Sequence, residues 1–136
     1  MKWWLTTHYP HRSPSHPWNI YLRNQYRNQF GNRIQVGDQV AFYELKGKQG
    51  TGRKAVIGFG RVAGPLKENR NREGGKDEAD KVWEWQFPCD DYEWRTLPHS
   101  AVCKIIRRKS AGALRLRGGL KELTKDQYEA LRNSNS

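Results

Sequence analysis

Trp83, Trp85 and Phe87 alternate with Val82, Glu84 and Gln86 in the stretch Lys81 to Phe87. Successive side chains of an extended strand face opposite ways, so the pattern predicts a strand with three rings on one face. Lys2 to Thr7, Gln39 to Glu44 and Ala55 to Ala63 also read as strands, the third bent by Gly58 and Gly60, and Tyr92 to Leu97 reads as a further strand or turn. Leu22, Tyr26 and Phe30 recur at helical spacing, which predicts a first helix within Trp18 to Phe30. Pro98 to Ile106 reads as a short helix, and Ala113 to Leu116 as a short strand or turn. Thr124 followed by Gln127 is a capping-box pattern, with Tyr128 and Leu131 on the apolar side of a closing helix.

The connections are marked by proline, glycine and charge. Tyr9 to Pro17 carries three prolines, and Lys46 to Lys54 is a glycine-rich basic hairpin tip. Residues 67–81 read as a mobile charged loop and residues 133–136 as a disordered tail. Short strands joined by hairpins, with few helices, predict an α+β fold. Its expected form is a small, partly closed β-barrel of mostly antiparallel strands flanked by helices, in one domain spanning residues 1–136.

Charge changes what those rings can mean. The chain has 25 Lys+Arg against 14 Asp+Glu, a net charge of +11, which favours a polyanionic partner. A ring-bearing sheet face either packs a core or opens into a slot for a flat ligand. In so basic a chain the flat ligand is a nucleobase. Trp18, which follows Pro17 at a loop junction, is the tryptophan least bound to a core role. Trp83 and Trp85 sit about 7 Å apart along their strand. One is expected to pack the barrel and one to line the slot, with Trp83, nearer the loop, preferred. Trp3 and Trp4 point oppositely, and at least one belongs to the core.

Asn19 and Asn24 can donate to and accept from a base edge, and Arg23 can only donate. Lys46, Lys48, Arg53 and Lys54, with the cluster Arg107, Arg108 and Lys109, supply cations for a phosphate backbone. Other chemistry is poorly represented. Cys89 and Cys103 lie 14 residues apart with no histidine at zinc spacing, and His8, His11 and His16 are irregularly placed, so no metal or cofactor is expected. There is no Gly-x-Ser-x-Gly, no phosphate-binding loop and no deaminase signature, and Asp90-Asp91 would point apart in a strand. The expectation is a binding domain rather than an enzyme. No apolar run approaches the ~20 residues of a membrane span, so a cytoplasmic protein is expected.

The opening Met1-Lys2-Trp3-Trp4-Leu5, the Trp18 segment with Arg23-Asn24 and Arg27-Asn28, and Val36-Gly37-Asp38-Gln39-Val40 resemble an EVE domain. So do Ile57 to Val62 and the ending Gly118-Gly119-Leu120 through Leu123 to Tyr128. EVE domains stand with YTH and ASCH domains in the PUA-like superfamily. The resemblance implies a barrel whose aromatic pocket receives a modified base flipped from DNA, as in modification-dependent restriction systems of bacteria. It implies a methylated or hydroxymethylated base, with cytosine favoured over adenine and DNA over RNA. It also implies a monomeric domain fused to or partnered with a nuclease or motor domain. Cage walls map onto Trp18 and onto Trp83 or Trp85. Arg23 and Asn24 stand one residue further from Trp18 than in the usual segment, and Cys89 to Trp94 fits the family poorly, which makes Trp94 the weaker candidate. Two alternatives share the superfamily: an RNA-binding module for a modified base, and an ASCH-type enzyme on a modified nucleoside.

Overall fold

The computed structural model describes residues 1–8, 18–45, 53–69, 83–106 and 120–134. Eight strands occur among them: β1 Trp3–His8, β2 Ile20–Leu22, β3 Gln39–Glu44, β4 Ala55–Val62, β5 Lys67–Glu68, β6 Trp85–Phe87, β7 Cys89–Pro98 and β8 Leu120–Leu123. Three helices accompany them: α1 Arg27–Phe30, entered through a 3-10 turn at Asn24–Tyr26, α2 His99–Ile105 and α3 Lys125–Asn133. Five strands form one sheet in the order β7-β4-β3-β1-β8, and three form a second in the order β2-β6-β5. Pairing is antiparallel throughout except between β1 and β3, which run parallel. This is the α+β, mostly antiparallel arrangement that the patterning predicts.

The large sheet separates two cores. Leu5, Ala41, Tyr43 and Phe59 face α2 and α3, where Val102, Cys103, Tyr128 and Leu131 complete a buried cluster. Trp4, Val40 and Phe42 face the other way, against Ile20, Leu22 and Phe87 of the small sheet and Phe30 of α1. Each such side chain contributes about 1.5–3 kcal/mol on full burial. Only Pro88 lies between β6 and β7. The chain crosses there from one sheet to the other, at a residue that can donate no ladder hydrogen bond.

Trp4 is fully buried and Trp3 packs beside the other core, which settles their opposite orientation. The Val36-Gly37-Asp38 turn fixes the start of β3. Gly37 takes φ +94°, a region costly for residues with a Cβ. Asp38, 2% exposed, then accepts from the backbone N–H groups of Lys2 and Gln35 and from the Trp4 indole, each at 3.0 Å. Thr124 and Gln127 form the expected capping box at the start of α3.

The structure corrects three readings. Trp18 to Phe30 is not one helix: Ile20-Tyr21-Leu22 pairs with β6, and helical structure begins only at Asn24. Leu22 and Phe30 do share a core, but long-range pairing overrides the helical spacing at Leu22. Strand structure in the double-tryptophan stretch is confined to Trp85–Phe87 among the described residues. Within the stretch 67–81, Lys67–Glu68 forms β5 and pairs with β6, and residues 70–82 lie outside the described residues. Asn133 closes α3, and 135–136 lie outside the described residues, as do 113–116.

Candidate functional site

An array of aromatic rings runs along one end of the second core. Trp18 meets His8 edge-on at 4.8 Å, Phe42 at 6.0 Å and Trp94 at 6.0 Å between centroids. His8 continues to Tyr21 at 5.4 Å, and Tyr21 to Trp83 at 6.2 Å. On the other side Trp94 stacks on Tyr92 with centroids 5.1 Å apart and planes within 12°. The array therefore reaches from Trp83, just before β6, across β2, β1 and β3 to β7. Trp83, Tyr21, His8 and Phe42 are buried, Trp18 is half-buried, and Trp94 is 53% exposed.

The register explains how the rings come together. Thr6, Phe42 and Gly58 are neighbours across the sheet, and Gly58 pairs with Trp94. A Cβ on Gly58 would sit 2.5 Å from Trp94 Cε3, and one on Gly60 would sit 2.9 Å from Phe42 Cε2 and 3.3 Å from Tyr92 Cδ1. Glycine weakens a strand interior, and here it leaves a bare floor on which both rings lie. The Tyr92 hydroxyl shares its proton between the carbonyls of Trp18 and Cys89, each at 2.8 Å. That bond fixes the backbone that carries Trp18. His8 is buried, with Nε2 2.6 Å from the Asn19 carbonyl, and since a carbonyl only accepts, Nε2 carries the proton.

Several expected site residues are held differently from the expectation. Asn19 is 5% exposed, its Nδ2 donates to Gln86 at 2.9 Å, and its Oδ1 accepts from the Cys89 N–H at 2.9 Å. Its amide ties β6 and β7 to the segment behind Trp18 rather than facing a base. Trp83 and Trp85 do not share a face. Tyr21 pairs with Gln86 and Leu22 with Trp85, so Trp85 points with Leu22 into the second core. Trp83 lies against Tyr21, on the Gln86 side. The alternation breaks because Asn69 holds Trp83 and Glu84 in place, donating from Nδ2 to the Trp83 carbonyl and from its N–H to the Glu84 carbonyl.

The cations divide the same way. The Arg23 guanidinium lies 6.0 Å over Trp83, and that of Arg27 lies 4.1 Å over Trp85. Asn24 accepts from the Trp85 indole at 2.9 Å and donates its N–H to Glu84. Of the candidate backbone contacts, Arg53 and Lys54 are exposed just before β4. There the register aligns Ala55 with Glu44 and Glu44 with His8, which places both cations at the His8 end of the sheet. Lys46, Lys48, Arg107, Arg108 and Lys109 lie outside the described residues.

Titratable groups gather behind this end. The Tyr43 hydroxyl lies 2.7 Å from His99 Nδ1, and His99 Nε2 lies 3.1 Å from Cys103 Sγ. Burial, with Cys103 nearby, pushes the Tyr43 phenol up to about 12. Burial also raises the Cys103 thiol, an effect partly opposed by Lys54, and lowers His99, which Lys54 lowers further. A phenol and a thiol both held in their protonated forms at neutral pH make a hydrogen-bonded cluster rather than an activated nucleophile. Burial likewise pushes the Cys89 thiol up to about 12. Among the described residues no group of three or more His, Cys, Asp or Glu could hold a metal, and no helix is long and apolar enough to cross a membrane. A cleft of about 170 Å³ opens beside Tyr92, between β4, β7 and Arg132, with Arg61, Asp91, Glu93 and Arg132 among its lining.

Sequence reasoning underrated Trp94 and passed over Tyr92, Phe42 and Tyr21. The signal for the first two was present: Tyr92 and Trp94 alternate with Glu93 and Arg95, as in a strand with one ring-bearing face.

The chain has relatives of known structure. A hypothetical protein from Leishmania major matches with a TM-score of 0.64 at 16% identity, covering 97% of this chain and 92% of that one. Human THYN1, solved in complex with DNA containing 5-methylcytosine, matches with a TM-score of 0.64 at 14% identity over 100% of both chains. An ASCH protein from Zymomonas mobilis matches with a TM-score of 0.57 at 12% identity, again over 100% of both. These structural matches establish a shared fold. No curated protein sequence matches the chain. The model of the EVE domain matches residues 3–133, nearly the whole length. The chain belongs to the EVE domain family.

Proposed function

We propose that this protein is a non-catalytic reader of a modified base in nucleic acid. Trp18 and Trp83 serve as walls, Tyr21 and His8 as the floor between them, and Arg23 as a donor to the base edge. The observation that carries the reading is the continuous aromatic array, closed at Trp83 and open at Trp18 and Trp94, in a chain of net charge +11. Stacking on each ring contributes ~1–3 kcal/mol, and one buried methyl adds roughly 1 kcal/mol. A base taken from a duplex must first be flipped, at a cost of a few kcal/mol, which phosphate contacts by Arg53 and Lys54 help to offset.

DNA is the favoured partner and methylated or hydroxymethylated cytosine the favoured base, a reading supported by the EVE family and by the THYN1 complex. The domain acts as the specificity element of a modification-dependent restriction system, beside a nuclease or motor domain. Binding across DNA and RNA oligonucleotides that carry each common modification tests this. Trp18→Ala should remove the preference for the modified oligonucleotide while the fold survives. Equal loss on modified and plain oligonucleotides would overturn the reading.

An enzyme on modified nucleosides is the second reading, and the ASCH likeness favours it. The protonated Tyr43 phenol and Cys103 thiol beside His99 weigh against it. Turnover of free N-acetylcytidine or a similar nucleoside by the wild-type protein would revive it.

A further inference from the structure

The geometry points to a second nucleobase site outside the slot: the outer face of Trp94 is a platform for the base next to the one being read, an inference that rests on the reader function proposed above. A base sandwiched between two rings needs their planes parallel and about 7 Å apart, twice the ~3.4 Å rise of stacked bases. Trp94 forms no such slot with its neighbours. It meets Trp18 edge-on with planes 66° apart, and it is already in face contact with Tyr92. Tyr92 thus covers one face of the indole, and Phe42 is tilted against it at 6.4 Å. Trp94 is still 53% exposed.

This platform is built rather than left over. Gly58 and Gly60 stand in the middle of an eight-residue strand, where a side chain at Gly58 would push Trp94 away and one at Gly60 would crowd Phe42 and Tyr92. The Tyr92 hydroxyl is locked to the Trp18 and Cys89 carbonyls, so the stack cannot fold inward. Two of the three acids on β7 are paired with arginines, Asp91 being the third. Asp90 is paired with Arg61 and Glu93 with Arg132. A flat, exposed, pre-stacked indole in a strongly basic chain suits a base with an open π-face, and flipping one nucleotide opens the stack beside it.

The experiment compares wild type, Trp94→Ala and Trp94→Phe on three duplexes of one sequence. The first carries a 5-methylcytosine, the second the same base with an abasic site on either side, and the third plain cytosine. The platform predicts that wild type binds the first roughly tenfold more tightly than the second, the size of one stacking contact. Trp94→Ala should bind the first and second alike, Trp94→Phe should recover part of the difference, and the ratio of first to third should persist in both variants. A wild type indifferent to the abasic flanks overturns the platform. So does a Trp94→Ala variant that loses the ratio of first to third, which would make Trp94 a wall of the slot itself. Self-association in sedimentation that Trp94→Ala abolishes also overturns it, in favour of a second copy on this face. Failure of the reader function appears differently, as no preference in wild type between the first and third duplexes. The platform is then judged by the flanking comparison alone, on plain duplexes with and without abasic sites.

Discussion

The Trp4 indole donates to the Asp38 carboxylate across 3.0 Å, joining the first strand to the turn that launches the third. Both residues are buried, and the same carboxylate also accepts from Lys2 and Gln35. Asp38→Ala strands the buried Trp4 indole N–H away from water and removes the acceptor of the part-buried Lys2 and Gln35 N–H groups. The expected loss is about 3 kcal/mol of stability, a fall in Tm of roughly 10 °C. Urea unfolding and a thermal melt read it. A loss below ~1 kcal/mol would show that water replaces the carboxylate.

Gly58→Ala and Gly37→Ala should separate steric from backbone effects. The first places a Cβ 2.5 Å from Trp94 Cε3 and 3.0 Å from the Glu93 carbonyl, and displaces the ring. It should cost about 1–3 kcal/mol and alter the near-UV circular dichroism of the tryptophans. The second meets nothing within 4 Å at φ +94°, so it should cost roughly 1–2 kcal/mol of backbone strain with that spectrum unchanged.

Tyr92→Phe keeps the stack on Trp94 and removes the bond to the Trp18 carbonyl. A modest loss of about 1–2 kcal/mol is expected, with faster amide exchange in the Trp18 to Ile20 segment. Oligonucleotide affinity should fall further than stability does, because the wall is loosened while the core is intact.

His99 titrates below its ordinary value near 6.5 in the folded protein, through burial and the charge of Lys54. Above pH 6.5 the imidazole is neutral in folded and unfolded chains alike, and it adds no pH dependence. Below it the unfolded chain takes up the proton first, so stability declines as pH falls. His99→Gln should flatten the decline in urea midpoint between pH 7 and 5. An unchanged slope would show that other groups set it.

Both thiols are buried and reduced, and burial raises both. With a disulfide reagent at pH 8 they should react at least tenfold more slowly than free cysteine, by order of magnitude, and normally once the chain is unfolded in guanidinium. Fast labelling of Cys103 in the folded protein would mean that His99 activates it after all.

Local chemistry was legible in the sequence and long-range geometry was not. The capping box at Thr124 and the Val36-Gly37-Asp38 turn depend on residues a few positions apart, and the structure forms both. Gly58 and Gly60 were recognised as breaks in a strand, but their purpose depends on Trp94, a partner fixed only by register. Leu22, Tyr26 and Phe30 carry a true helical spacing that loses to the pairing of Ile20-Tyr21-Leu22 with β6. Trp83 and Trp85 alternate in sequence as one face would, and the Asn69 side chain turns Trp83 away. The parallel pairing of β1 with β3 leaves no local mark at all.

That pairing has a consequence for how the molecule assembles. β1 holds an interior place in the sheet, bordered by β3 on one side and by β8, from the far end of the chain, on the other. β1 therefore waits for β8, the last of the described strands, before its second edge is satisfied. Such distant partners imply a slow, late-closing folding reaction and a spell in which an apolar edge stands bare, open to misassembly with other chains.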